Sequence, residues 1–202
     1  MSILFEDTFD SFNTWNYTQW WEGIFTTTWW VLKASSYWTW ASWHWPTLTR
    51  SQSITWDFKV TGVINWNNSW TNAIGNIKLQ CNLSNWDIPY IYIGDSQAAS
   101  NSYELITSKD WAADIYYSWY LTNTNIAITW DIWVIEKIWT TITFYINWSQ
   151  LWVTTTSIWN LTSVVLATRS FSTYNSIQTQ EFQNIKIEDY SNVNNSWFLQ
   201  FF

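Results

Sequence analysis

The chain has 202 residues, a formal net charge of -7 and eight cations that never form a run, which excludes the basic footprint that nucleic acid or an anionic membrane surface requires. It also has a single cysteine, Cys81, no apolar run approaching a membrane span and no basic start to its Met1–Phe5 segment, so neither an internal disulfide, membrane insertion nor a signal peptide is expected. This length suits one all-β unit with a good core.

In chain order, β-branched and aromatic runs between Ser/Thr/Asn-rich connections predict strands. The first are Ile3–Phe5, Val31–Ser35 and a long strand Ile54–Ile64 with Ile54, Phe58, Val60 and Gly62 toward the core. Ile74–Leu83 and Ile88–Gly94 follow, joined through Ser84–Asp87, then Tyr103–Ile106, Asp114–Ser118 and Ile126–Ile138. A hairpin over Thr140–Thr156, Leu161–Ala167 and Phe182–Glu188 complete the series. No helical period holds for three turns, so the predicted fold is an all-β, antiparallel two-sheet sandwich over residues 1–190. Residues 191–202, an Asn/Ser run followed by Phe198, Leu199, Phe201 and Phe202, read as a tail or the start of a further element.

The hairpin carries the most informative feature. Ile142, Phe144 and Ile146 alternate with Thr141, Thr143 and Tyr145, giving one apolar face, and the strands meet at Asn147-Trp148. A two-residue type I′ turn needs φ > 0 at both positions and ordinarily uses Asn-Gly; here tryptophan stands in place of glycine. Asn65-Trp66, Asn85-Trp86 and Asp110-Trp111 repeat the pattern, and 22 tryptophans accompany only 4 glycines, against a usual glycine share of about 7%. A non-glycine residue in the left-handed region costs roughly 1–2 kcal/mol, so a dozen such turns would consume about the whole 5–15 kcal/mol of a domain's stability. The pattern resembles a gene in which UGA encodes glycine, as in certain uncultured episymbiotic bacteria, read with a table that makes it tryptophan. The alternative is a chain selected with its tryptophans. Misread glycines at Trp66, Trp86, Trp111, Trp148 and Trp159 should be exposed at turns, several with φ > 0, while Trp43 and Trp20 or Trp21 should be packed or set in a groove.

Phe5-Glu6-Asp7-Thr8-Phe9, Trp20 to Gly23, the strand ending Ile146-Asn147 and the closing Phe182-Gln183-Asn184-Ile185-Lys186-Ile187 together resemble the concanavalin A-like lectin/glucanase jelly roll, including laminin-G-like modules. Within it, Ser42-Trp43-His44-Trp45-Pro46-Thr47-Leu48-Thr49-Arg50 is similar to the Trp-His-Gly-Pro-Ser/Thr-x-Thr-Arg segment of carbohydrate-binding modules in siphophage tail proteins, departing from it at Trp45.

The resemblance implies a carbohydrate partner, a polysaccharide or glycan, on a virion tail or extracellular surface, within a larger tail or surface assembly. The glucanases of the fold use three carboxylates alternating on one strand, because retaining hydrolysis needs an acid and a nucleophile about 5 Å apart. That run is absent here, and Asp131 and Glu136 are separated by an odd number of positions, which sends them to opposite faces. With His44 the only histidine, no catalytic residue and no enzyme activity are expected. Sugar binding needs an aromatic face and a few fixed polar groups, for which Trp20, Trp43, His44, Arg50, Tyr92 and Asp95 are the candidates, with Tyr90 or Tyr116 as a second platform. Each also has a plain structural reading, Trp43 in the core and Arg50 as a paired cation. Glu6 or Asp7 and Asp189 would supply a Ca²⁺ site if their carboxylates met across paired first and last strands. Acids at strand ends are ordinarily just solvated, so no cofactor is assigned. The competing function is a structural sandwich of a virion or surface fibre with all its aromatics buried.

Overall fold

The computed structural model describes residues 2–11, 16–20, 23–27, 30–36, 47–65, 73–85, 88–96, 99–108, 131–155, 159–172 and 178–190. Fourteen strands account for nearly all of them, and they contain no α-helix. In order these are β1 (Ser2–Asp7), β2 (Thr18–Trp20), β3 (Gly23–Thr27), β4 (Leu32–Ser36), β5 (Thr47–Ile54), β6 (Phe58–Asn65) and β7 (Ala73–Leu83). β8 (Ile88–Ser96), β9 (Ala99–Ser108), β10 (Asp131–Ile138), β11 (Thr141–Ile146), β12 (Ser149–Thr155), β13 (Leu161–Ser172) and β14 (Gln178–Asp189) follow.

They form two antiparallel sheets, the sandwich that the alternation predicts. One has eight strands in the order β12-β11-β10-β6-β14-β4-β3, with β1 also on β14; the other has six, β2-β5-β13-β7-β8-β9. β14 is long enough to hold two partners on one edge. Gln178–Phe182 pairs with β4 and Ile185–Asp189 with β1, on either side of a register shift between Phe182 and Asn184.

The core lies between the sheets. Phe58, Val60, Ile64, Trp133, Ile135, Ile142, Phe144, Ile146, Phe182, Ile185 and Ile187 of the larger sheet meet Leu48, Ile54, Leu79, Cys81, Leu83, Ile91, Leu161, Val164 and Leu166 of the smaller. Each buried aliphatic or aromatic side chain contributes about 1.5–3 kcal/mol relative to exposure. Gly62 faces this core as expected, and its lack of a side chain is used. A Cβ there would stand 3.1 Å from Ile185 Cδ1 and 3.2 Å from Leu79 Cδ2.

Three features differ from what the sequence pattern shows. The single strand Ile54–Ile64 is two strands in different sheets, because Thr55–Asp57 turns the chain from one sheet to the other with Trp56 at φ 85°. Polar and charged groups hold that turn. Lys137 Nζ donates to the Trp56 carbonyl at 2.8 Å, the Trp139 amide donates to Asp57 Oδ1 at 2.7 Å, and the Tyr190 amide donates to the Asp57 carbonyl at 3.0 Å. Burial pushes the Lys137 ammonium down, and neighbouring Asp57 opposes that. Second, β5 carries no apolar run because only Leu48 and Ile54 of its inward positions are aliphatic; Arg50 and Gln52 occupy the others. Third, β2 and β3 are short strands that no pattern announced. The predicted strand Asp114–Ser118, residues 126–130 and the 191–202 tail lie outside the described residues.

Candidate functional site

Register across the six-stranded sheet assembles the site. Residues directly opposite in an antiparallel pair share a face, so pairings can be read as rows. Trp20, Thr47, Ala167, Lys78, Tyr92 and Glu104 form one row from edge to edge. Two residues along, Thr18, Thr49, Val165, Gln80, Tyr90 and Ile106 form the next row on the same face. Ser51, Ser163 and Asn82 extend it. The intervening row of Arg50, Val164 and Cys81 belongs to the core side. Trp20 and Tyr92 thus stand four strands apart, about 19 Å at the usual strand spacing.

This outer face is polar, ordered and partly shielded. Gln80 Nε2 donates to Asn82 Oδ1 at 2.6 Å, and Asn82 Nδ2 donates to Ser163 Oγ at 2.8 Å, so the amides are held in line. Lys78 Nζ lies 5.1 Å from the centre of the Tyr90 ring. Val165 and Ala167, though outside the core cluster, are buried, and burial pushes the Lys78 ammonium from 10.5 down to about 8. Fixed amides and hydroxyls beside aromatic side chains can hydrogen-bond a sugar's hydroxyls and cover its apolar face. Tyr90, one of the two tyrosines considered as a second platform, lies on this face opposite Gln80. Gln80, Asn82 and Lys78 are the additions; their alternation along β7 was legible, but not which face it served.

The structure does not gather all six candidates. Trp20 and Tyr92 share a row; Asp95 falls at the irregularity between Gly94 and Ser96 of β8. Trp43 and His44, like Tyr116, lie outside the described residues, as do Trp66, Trp86 and Trp111. Arg50 is on the opposite, inward side of β5. Its guanidinium sits 4.2 Å over the Phe5 ring, and Nη1 donates to the Asn16 carbonyl at 3.2 Å. Beside it Tyr17 donates to Asp7 Oδ2 at 3.0 Å, and burial together with the Asp7 charge raises the Tyr17 phenol well above its usual value. This is a clamp on the chain entering β2 rather than part of the outer face.

The first and last strands do pair, yet the carboxylates that a Ca²⁺ site would need stay apart. Antiparallel register sets Asp189 against Ser2 and Asp7 against Ile185, at opposite ends of the ladder. Glu6 instead accepts from Asn184 Nδ2 at 3.3 Å. No cluster of three acidic, histidine or cysteine ligands occurs among the described residues.

No two of the fifteen acidic residues are two positions apart, so no strand presents carboxylates consecutively on one face. Across the larger sheet, Glu136, Lys59 and Glu188 share a row. Lys59 stands between the carboxylates, and Glu188 is buried and paired with Lys186 Nζ at 2.8 Å. Tyr145 donates to Glu136 Oε2 at 3.2 Å; burial first, then the Glu136 charge and this bond, raises its phenol. Each carboxylate is thus held by a neighbour, Glu188 along its own strand and Glu136 from β11.

No family model matches the sequence, and no curated protein matches it. Solved structures do match in fold. The CBM2 module of the evolved Dit of Lactobacillus casei BL23 phage J-1 superposes with TM-score 0.69 at 12% identity, covering 92% of this chain and 94% of the module. The Bacillus licheniformis β-glucanase gives TM-score 0.67 at 10% identity over 92% and 97% of the two chains. A β-1,3-1,4-glucanase derived from a mouse hindgut metagenome gives 0.64 at 10% identity over 91% and 98%. The chain therefore has the concanavalin A-like jelly-roll sandwich shared by these glucanases and the phage module.

Proposed function

We propose that the protein is a non-catalytic carbohydrate-binding module that adheres to a host cell-wall polysaccharide as part of a phage tail or cell-surface assembly. The observation that carries this reading is the outer face of the six-stranded sheet, where Tyr90 and Lys78 adjoin the fixed Gln80–Asn82–Ser163 amide line in rows shared with Trp20 and Tyr92. The fold likeness to a phage carbohydrate-binding module supports it. So does the Trp43–Arg50 resemblance, which implies Trp43 and His44 as sugar contacts.

The glucanase neighbours favour a second reading, hydrolysis. The spacing of the acidic residues weighs against it, since paired carboxylates on one strand face are what retaining hydrolysis uses. A structural role without ligand is the third.

Retention on cell-wall polysaccharide columns separates the three. Adhesion requires that Trp20→Ala, Tyr90→Ala and Tyr92→Ala each reduce retention at least tenfold with no release of reducing ends from β-glucans. Release of reducing ends would establish hydrolysis. Unchanged elution of the parent chain on every polysaccharide would leave the structural role.

A further inference from the structure

Six tryptophans have described side chains: Trp30, Trp56, Trp133, Trp139, Trp148 and Trp159. Four of them are in the left-handed region, at φ 61° (Trp30), 85° (Trp56), 55° (Trp139) and 66° (Trp148). The same four are exposed, at 64%, 53%, 56% and 61%. None of the described glycines has positive φ. The positions where glycine is useful are thus held by tryptophan, with the indole in water.

Positive φ alone does not distinguish a misread residue. Phe9 has φ 55° too, but it is fully buried and its amide donates to Asp7 Oδ1 at 2.8 Å, so packing and a hydrogen bond compensate for its backbone. Trp133 is the opposite control: a fully buried tryptophan on a regular strand. At positions 56, 139 and 148 the hydrogen bonds of the neighbours serve the backbone and not the indole. Asn147 and Ile132 bond reciprocally around the turn that Trp148 completes, and Asp57 and Lys137 grip the Trp139 amide and the Trp56 carbonyl. The Trp148 ring has Lys59 Nζ 5.1 Å from its centre. Exposed Trp56, Ile138 and Trp139 cluster about this gripped pair of turns, an apolar surface that glycines would largely remove.

We propose that positions 30, 56, 139 and 148 are glycine in the protein as its own cell makes it, each specified by a codon that the source decodes as glycine. UGA is the codon that fits, since some genetic codes read it as tryptophan and others as glycine. Trp133, by the same criterion, is a true tryptophan. Trp159 is exposed without positive φ, and the backbone does not decide it.

Two measurements test this independently of any sugar. Each change among Trp30→Gly, Trp56→Gly, Trp139→Gly and Trp148→Gly should raise the folding equilibrium constant, by roughly fivefold on average, whereas Trp133→Gly should lower it. Equal or lower stability of the fourfold variant overturns the proposal. Peptide masses of the protein from its native source decide it directly. The tryptic fragment 138–169 should carry glycine at 139 and 148, and tryptophan at both overturns the assignment.

Discussion

Asn147 and Ile132 are joined twice: the Asn147 amide donates to the Ile132 carbonyl at 2.8 Å, and the Ile132 amide donates to Asn147 Oδ1 at 2.9 Å. The pair anchors the β11–β12 turn to the start of β10 and holds Asn147 at φ 49° and Trp148 at φ 66°, the positive pair a type I′ turn requires. Asparagine tolerates that conformation, and tryptophan does not.

Trp148→Gly is therefore expected to stabilise the chain by about 1 kcal/mol. Relief of roughly 1–2 kcal/mol of backbone cost is offset by loss of the Lys59 contact, worth about 0.5–1 kcal/mol at an exposed site. Asn147→Ala should destabilise by about 1 kcal/mol through its lost side-chain bond. Urea unfolding of the two single variants checks both signs; a destabilised Trp148→Gly would mean that the indole makes a net favourable contact.

Trp133→Ala should cost about 3–5 kcal/mol, the range for truncating a fully buried large aromatic. Trp133→Phe should cost less than that range, because Nε1 is buried without a partner among the described residues and phenylalanine removes the unsatisfied donor. Denaturant midpoints that place the two variants together would contradict this.

Gly62→Ala introduces a methyl 3.1 Å from Ile185 Cδ1 and 3.2 Å from Leu79 Cδ2. Both neighbours are ends of flexible side chains, so the cost should fall near 1 kcal/mol, the low end of the range for overpacking. The variant should fold with the parent's circular dichroism and a lower melting temperature.

Lys78 predicts a pH dependence. Its ammonium titrates near 8 in the folded chain against 10.5 unfolded. Between these values the unfolded chain holds a proton that the folded chain has released, so this group makes stability rise with pH. Buried Cys81 acts the other way. Its thiol is held above its ordinary 9.0, so the folded chain keeps a proton that the unfolded one loses, and its contribution falls as pH rises past 9.0. The Lys78 effect is isolated by comparing parent with Lys78→Met. Any stability advantage of Lys78→Met should be greatest below pH 8 and shrink toward pH 10.5, and a difference constant across that window would rule the burial effect out.

What the sequence by itself determined is local. The two-residue alternation of Ile142, Phe144 and Ile146 specified a strand and its buried face, and Asn147-Trp148 specified the turn, because both depend on neighbours a few residues away. The absence of helical periodicity and the turn spacing determined the sandwich for the same reason. Only the tertiary structure decided which strands pair. It divided Ile54–Ile64 between two sheets at Trp56, turned Arg50 inward beside Phe5, and placed Asp7 and Asp189 at opposite ends of the ladder between β1 and β14. It also drew Lys78, Tyr90 and Ser163 from three strands onto one face. Partner and register are set by burial over the whole chain, and a one-residue slip exchanges the two faces of a strand. No window of sequence contains that information.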